Sequence, residues 1–473
     1  MHGLKPRDVV ELNIESLALG GKGVAHIDGF AVFVERALPG QKIKAEIKRK
    51  KSNFAEARVV EIVTHSPNEV TPSCGHFGSC GGCLLQHLDY EEQLRQKQQQ
   101  VRESLAHIGG FQQVDVSPVL PAPDIYFYRN KMEFSFSRQR WLTVAEIQSN
   151  QPVERNFALG LHTIGSFEKV LNIDACQLLS EPSNLVLRWT RDFARQSGLL
   201  PYSTKDHSGF WRFLVFKESK RRSQMMVNVV TADHPQAGRL AHELVAEMVQ
   251  RFPFITTVVH NINRKKAQIA LGDQEFTIHG PGFIEETIGS KTYRISANSF
   301  FQTNTRQAER MYQLLADWGQ FQPDQIVYDL YSGTGSIAIF IAEQVGQVIG
   351  FEILPQAIAD ARLNCQLNSI DNCRFVEGDL KDALKDPATV VEQYGQPNIV
   401  IIDPPRSGLH PKLPGKILQL KPQRIIYVSC NPATLARDLQ LLCQQEFDLI
   451  RVQPIDMFPH TAHCEAVALL ERR

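Results

Sequence analysis

Ile326-Val327-Tyr328-Asp329-Leu330-Tyr331-Ser332-Gly333-Thr334-Gly335-Ser336-Ile337-Ala338 reads as a buried strand, a glycine turn and the start of a helix. The apolar run does not alternate, which is the pattern of a strand covered on both faces. The glycines stand where a backbone must approach a ligand more closely than a Cβ allows. The next apolar run, Gln347-Val348-Ile349-Gly350-Phe351-Glu352, ends in a carboxylate suited to ribose hydroxyls. From residue 291 onward strands and helices continue to alternate, so this part is read as an open, mostly parallel α/β sheet.

Two further strand ends face the same crevice. Ile399-Val400-Ile401-Ile402 runs into Asp403-Pro404-Pro405-Arg406, and Ile425-Ile426-Tyr427 runs into Val428-Ser429-Cys430-Asn431-Pro432-Ala433-Thr434. Ligands of open α/β sheets bind at this edge. A thiol, a carboxylate and a glycine loop aimed there suit an enzyme that bonds covalently to its substrate beside a nucleotide-like cofactor. The glycine loop alone fits both a dinucleotide and S-adenosylmethionine. The Asp403-Pro404-Pro405 segment resembles the acidic-Pro-Pro loop of nucleic-acid methyltransferases, which favours the latter; a dehydrogenase has no evident use for it. Cys365, Cys373 and Cys443 fall on helices or connections and are read as small buried hydrophobes.

The chain has 473 residues, too many for one core, and 43% of them are hydrophobic. No apolar run is long enough to span a bilayer, and the first residues lack a signal-peptide core. A cytoplasmic location is the default expectation. Net charge is zero, so overall charge gives no case for a polyanionic partner. Lys42, Lys44, Lys48, Arg49, Lys50 and Lys51 cluster with only Glu46 among them. They are either a solvated strand and turn or a local phosphate-binding patch.

Residues 8–63 hold short alternating strands and glycine turns, the pattern of a small barrel of the oligonucleotide-binding sort. A helix is expected from Glu91 to His107. Leu94, Val101, Leu105 and Ile108 form its apolar stripe, Gly109-Gly110 its stop, and a glutamine-rich face is left to solvent. Residues 120–290 read as an α+β domain. Cys74-x5-Cys80-x2-Cys83 sits in a glycine-rich loop, and Cys176 can supply a fourth thiolate. Four thiolates suit either tetrahedral zinc or a cubane iron–sulfur cluster. His76 and His87 are read as loop histidines, not ligands.

Together these residues resemble the TRAM-domain RNA uracil-5-methyltransferases over nearly the whole chain. The resemblance implies three domains: an OB-like TRAM β-barrel over 1–63, a central α+β RNA-binding domain with an iron–sulfur loop over 64–290, and a Rossmann-like methyltransferase domain over 291–473. Cys74, Cys80, Cys83 and Cys176 match the family's iron–sulfur ligands, implying a 4Fe-4S cluster. In Ser299-Phe300-Phe301-Gln302-Thr303-Asn304, Gln302 matches an S-adenosylmethionine contact, as do Tyr331, Glu352 and Asp403. Cys430 matches the nucleophile. Met457-Phe458-Pro459-His460-Thr461-Ala462-His463-Cys464-Glu465 matches the segment carrying the general base, which the resemblance assigns to Glu465 over His460 and His463. Cys464 departs from the apolar residue expected before that glutamate. Arg129 matches an arginine near the target base, and Phe300 can stack on a nucleobase.

The implied activity is methylation of uridine C5 in RNA through a covalent thiol adduct. Ribosomal RNA of the large subunit (23S) is the favoured partner and transfer RNA the alternative; the expected state is a monomer. A cytosine-5 methyltransferase is disfavoured, because its acidic-Pro-Pro loop carries a cysteine where Arg406 stands. A non-catalytic RNA-binding protein is the reading from another class, and the intact thiol and cofactor motifs argue against it.

Overall fold

The computed structural model describes residues 4–149, 151–166, 168–444 and 446–473. The N-terminal part is a six-stranded sheet in the order Val9–Asn13, Lys42–Lys50, Phe54–Thr64, Phe30–Glu35, Gly23–Ile27, Ser16–Leu17. Alternate residues of these strands, among them Leu12, Ala25, Val32, Ile43 and Ala55, meet in one small core. The lysine-rich strand turns its charges outward. Lys42 pairs with Glu11 (2.6 Å), Lys44 with Glu61 (2.8 Å) and Lys48 with Glu35 (3.0 Å). For these three lysines the solvated-strand reading holds.

The middle of the chain forms an eight-stranded mixed sheet with Trp211–Glu218, buried along its whole length, near the centre. Helices Glu181–Gln196 and Ala237–Arg251 cover one face through Val186, Leu187, Leu240 and Leu244.

The third large sheet has the order Cys373–Glu377, Gln347–Glu352, Ile326–Leu330, Ile399–Ile402, Arg424–Ser429, Glu465–Arg472, Phe447–Ile455, Asp115–Val116. The first five strands are parallel. Glu465–Arg472 runs antiparallel between Arg424–Ser429 and Phe447–Ile455. Neighbouring residues of each central strand enter opposite cores: Val327 and Ile401 one, Tyr328 and Ile402 the other. Burial on both faces accounts for the unbroken apolar runs. The strand order reverses between Ile326–Leu330 and Ile399–Ile402, and the crevice at their carboxyl ends is the switch point where such sheets bind ligands. Among the described residues, no helix is long and apolar enough to cross a membrane.

The helix expected from Glu91 spans Tyr90–His107 (α1), capped by the Asp89 carboxylate, which accepts from Glu91 N–H at 3.0 Å. Two expectations about it are corrected. Ile108 lies just past the helix and is exposed. The glutamine-rich face is not solvated: Gln93, Lys97, Gln100 and Ser104 are buried. Gln100 Nε2 donates to the carbonyls of Leu17 (2.9 Å) and Ala18 (3.2 Å), and Gln96 Oε1 accepts from Leu17 N–H (2.9 Å). Lys97 Nζ meets Asp456 at 2.6 Å, with both side chains essentially inaccessible. Removing either member would strand a charge in the interior, at a cost of about 3–5 kcal/mol. α1 thus ties the N-terminal sheet to the chain segment that precedes Glu465–Arg472.

Candidate active site and cysteine cavity

Cys430 is held between a strand and a helix. Strand Arg424–Ser429 ends just before it, and Asn431 caps helix Pro432–Cys443 just after, its Oδ1 accepting from Ala433 N–H at 3.1 Å. Pro432 in the first turn costs no helical hydrogen bond. Ser429 Oγ accepts from Asn431 N–H at 3.1 Å and tightens the turn. The thiol is left half-buried at the crevice.

The antiparallel register brings Glu465 to it. Ser429 lies opposite Ala466, so the next step of the ladder sets Cys430 beside Glu465. Asp403 follows strand Ile399–Ile402, its N–H donating to the Leu330 carbonyl at 3.3 Å. Glu465 is buried and Asp403 half-buried, and their charges oppose one another. Burial, then Asp403, pushes the Glu465 carboxyl up to about 8. Burial pushes Asp403 up to about 7. Burial, then Glu465, pushes the Cys430 thiol up to about 11, against the pull of the Arg406 guanidinium. A buried carboxyl near 8 can take and release protons at working pH.

This fixes a pH dependence. Both Glu465 and Cys430 must lose a proton to act as base and nucleophile, and both hold it more tightly than usual. Activity should therefore rise with pH: kcat/KM at pH 9 is expected to be at least about ten-fold above that at pH 7. A profile flat between those values would contradict the assignment.

Arg406 was not assigned a role in the site from sequence, and His463 was considered there only as a rival base. Arg406 Nη2 lies 3.0 Å from His463 Nδ1. The Arg406 carbonyl accepts from Asn431 Nδ2 at 3.2 Å, locking this loop to the thiol turn. Burial and the arginine push His463 down to about 4, so it is neutral and accepts from Arg406. The signal for Arg406 lay in its place in the Asp403-Pro404-Pro405 loop.

The cofactor side is built on the glycine turn. Tyr331, Gly333 and Gly335 have φ of +65°, +53° and +74°; tyrosine in that region is uncommon. Glu352 accepts from Gly333 N–H with Oε2 and from Ile353 and Leu354 N–H with Oε1, each at 2.9 Å. Three of a carboxylate's roughly four acceptor positions are thereby used, so Glu352 shapes the loop as well as facing the crevice. Gln302 lies in the turn before helix Thr305–Gly319. Its carbonyl accepts from Asn130 Nδ2 at 2.8 Å, and Asn130 N–H donates to the Thr303 carbonyl at 2.8 Å. The central sheet thus grips the segment carrying Gln302. In the same turn Phe301 is buried, whereas Phe300 is 62% exposed.

Cys74, Cys80, Cys83 and Cys176 line a single cavity of about 420 Å³, with His76 and Arg129 also in its wall. All four are free thiols. Burial pushes Cys80 up to about 11 and Cys83 to about 12. His76 Nε2 accepts from Asp174 N–H at 3.1 Å, and His87 Nε2 lies 3.2 Å from the Arg36 carbonyl, so both histidines have structural partners. Among the described residues, no three His, Cys, Asp or Glu side chains are gathered closely enough to hold a single metal ion.

Residues 4–60 match the TRAM domain model, and residues 259–473 match the model described as tRNA (Uracil-5-)-methyltransferase. An uncharacterized RNA methyltransferase of Chlorobaculum tepidum is 44% identical, with 98% of this chain and 96% of that one aligned. The chain belongs to the TRAM-domain RNA uracil-5-methyltransferases. A second RNA methyltransferase, from Porphyromonas gingivalis, is 41% identical over 98% of this chain and 99% of its own. Among solved structures, the Pyrococcus abyssi tRNA (uracil-54, C5)-methyltransferase in complex with S-adenosyl-L-homocysteine superposes with a TM-score of 0.73. It is 28% identical and covers 98% of this chain and all of its own. Within this methyltransferase, Gln302, Tyr331, Glu352, Asp403, Cys430 and Glu465 all lie in the 259–473 match. The four cysteines of the cavity fall between the two matched segments.

Proposed function

We propose that this enzyme methylates C5 of a uridine in RNA through a covalent bond between Cys430 Sγ and C6 of the ring. The observation that carries this is the register that sets the thiol beside a buried carboxylate. Uracil C5 is a weak nucleophile because two carbonyls withdraw electron density. Attack of the Cys430 thiolate on C6 moves the C5–C6 π electrons onto C5 and its carbonyl neighbour. S-adenosylmethionine, which Gln302, Tyr331, Glu352 and Asp403 would hold, supplies the methyl group: as C5 bonds to it the methyl–sulfonium bond breaks and S-adenosylhomocysteine leaves. Glu465 then takes the C5 proton, the C5–C6 double bond reforms, and Sγ leaves as thiolate. Glu465 is itself reset by losing that proton to solvent. The target base must leave its stack to reach the crevice, and the exposed Phe300 ring offers a face to stack on.

Cys74, Cys80, Cys83 and Cys176 would hold a 4Fe-4S cluster. The donors are all soft thiolates, and they surround a volume too open for one ion. Bound there, it would tie Cys176 to the Cys74–Cys83 loop, and no step of the reaction calls on it for electrons. Iron at four atoms per chain after anaerobic purification is the expected assay. The division at 63 and 290 remains our reading of the domains; the first sheet ends at Thr64, and the hairpin of Phe283–Ile288 and Lys291–Ser296 turns at 289–290.

The decisive test uses RNA in which uridine is replaced by 5-fluorouridine. Fluorine cannot leave as a cation, so the last step stops. A protein–RNA adduct that survives denaturation and carries one labelled methyl group is expected. No adduct on an RNA that the enzyme methylates in its uridine form would overturn the mechanism. Large-subunit ribosomal RNA is the target we favour, from the barrel-plus-cysteine-loop architecture. Likeness to the Pyrococcus enzyme favours transfer RNA as the second reading. Mapping 5-methyluridine in 23S and transfer RNA from cells with and without the protein separates them.

A further inference from the structure

His460 occurs five residues before Glu465, in the segment that links strands Phe447–Ile455 and Glu465–Arg472. It is buried, with φ +65°, a strained conformation for a histidine. Its backbone is held from one direction only. The carbonyl accepts from Leu84 N–H (3.0 Å) and Leu85 N–H (2.9 Å), the two residues after Cys83. Its N–H donates to Gln93 Oε1 at 3.1 Å. Gln93 Nε2 lies 3.2 Å from His460 Nδ1 and donates to the carbonyls of Leu85 (3.0 Å) and Leu88 (2.8 Å). Tyr126 stacks on the ring at 4.4 Å, and Tyr128 Oη donates to the neighbouring Pro459 carbonyl at 3.2 Å. One helical turn along α1, on the same face, Lys97 holds Asp456.

We propose that Gln93 is a positioning residue for proton removal: with the Leu84–Leu85 turn it fixes the segment that carries Glu465. This rests on the reading of Glu465 as the base. Gln93 is fully buried, and its one amide joins the Leu85–Leu88 turn, which follows Cys83, to the base-bearing segment. Without it, His460 N–H and the Leu85 and Leu88 carbonyls lose a partner inside the protein, and the strained turn is free to relax. Cys430 has separate support, from strand Arg424–Ser429 and helix Pro432–Cys443. Loss of Gln93 should therefore spare attack at C6 and methyl transfer, and slow only the step in which Glu465 takes the C5 proton while the C6–S bond breaks. The Cys74–Cys83 loop is joined to that segment through Leu84 and Leu85.

The test uses full-length Gln93→Met protein with all cysteines intact, labelled S-adenosylmethionine, and total RNA from cells lacking the protein. Methyl transfer to protein-bound RNA and release of free methylated RNA are followed separately on denaturing gels. Transfer within about two-fold of wild type, release slowed about 10- to 100-fold, and accumulation of a methylated adduct are expected. Wild-type release without adduct, or equal loss of transfer and release, overturns the proposal. Glu465→Gln is run in parallel. If it accumulates adduct while Gln93→Met does not, only the positioning role fails; if it releases RNA normally, the base assignment itself falls. Should Gln93→Met not fold, Gln93→Glu has the same shape and keeps the acceptor for His460 N–H while losing both donors. The same accumulation is expected in it, and its absence counts equally against the proposal.

Discussion

A Cys430→Ala protein is expected to lose methylation by at least about 10⁴-fold while remaining folded and able to bind RNA. Knocking out a covalent nucleophile typically costs that much or more, and the neighbouring thiol is not placed to replace it. Cys464, the thiol nearest in sequence to the base, is fully buried, with Sγ within 3.3 Å of the Glu465 carbonyl. Without addition at C6, C5 remains a poor nucleophile whatever the electrophile beside it. Alanine removes only a half-buried sulfur between Ser429 and Asn431, and the capping hydrogen bonds around it stay. The measurement is single-turnover transfer of labelled methyl to RNA, with RNA affinity measured alongside. Methylation at the wild-type rate would end the covalent reading altogether.

Glu465→Gln should fail later in the cycle. The amide preserves the size of the side chain and cannot take a proton, so methyl transfer should proceed and release should stall. Turnover is expected to fall about 10²- to 10⁴-fold, with a methylated adduct visible where wild-type enzyme shows little. At pH 7 Glu465, pushed up to about 8, is mostly protonated, and the glutamine that replaces it is likewise neutral beside Cys430. Adduct formation at pH 7 should therefore be no slower than in wild type. If the first step is lost together with the second, Glu465 is supporting the thiol and not the elimination. The pH profile should become shallower in the same variant near 8, because the titrating carboxyl is gone, while the rise that comes from the Cys430 thiol stays.

The parts of this site set at strand ends were open to reading in the sequence. A strand buried on both faces leaves an unbroken apolar run, and the residue that ends it must emerge at the sheet edge. Asp403, Cys430 and Glu352 were found this way, and the structure brings the first two together with Glu465. The parallel sheet and the small N-terminal sheet were legible for the same reason, since their periodicities differ. The face of α1 was not. Periodicity counts glutamine as polar and assigns it to water, yet Gln93 and Gln100 are buried against carbonyls. The partner of Gln93 is 367 residues away in the chain, beyond any local pattern. The pairing of Arg406 with His463, which the sequence offered only as a rival base, escaped for a related reason: 57 residues separate them, and neither forms a recognisable spacing with Cys430. The lysine run was ambiguous because the acidic partners of its side chains come from neighbouring strands.

The order of the third sheet bears on how the chain comes to be folded. Strand Glu465–Arg472 is synthesised after both of its neighbours, Arg424–Ser429 and Phe447–Ile455, and it must slot between them. Until it does, the nascent protein presents two unsatisfied edges to its surroundings, a state prone to mispairing. A premature stop codon ahead of Glu465 would thus leave behind an adhesive half-sheet, a burden on chaperones and proteases as well as a dead catalyst.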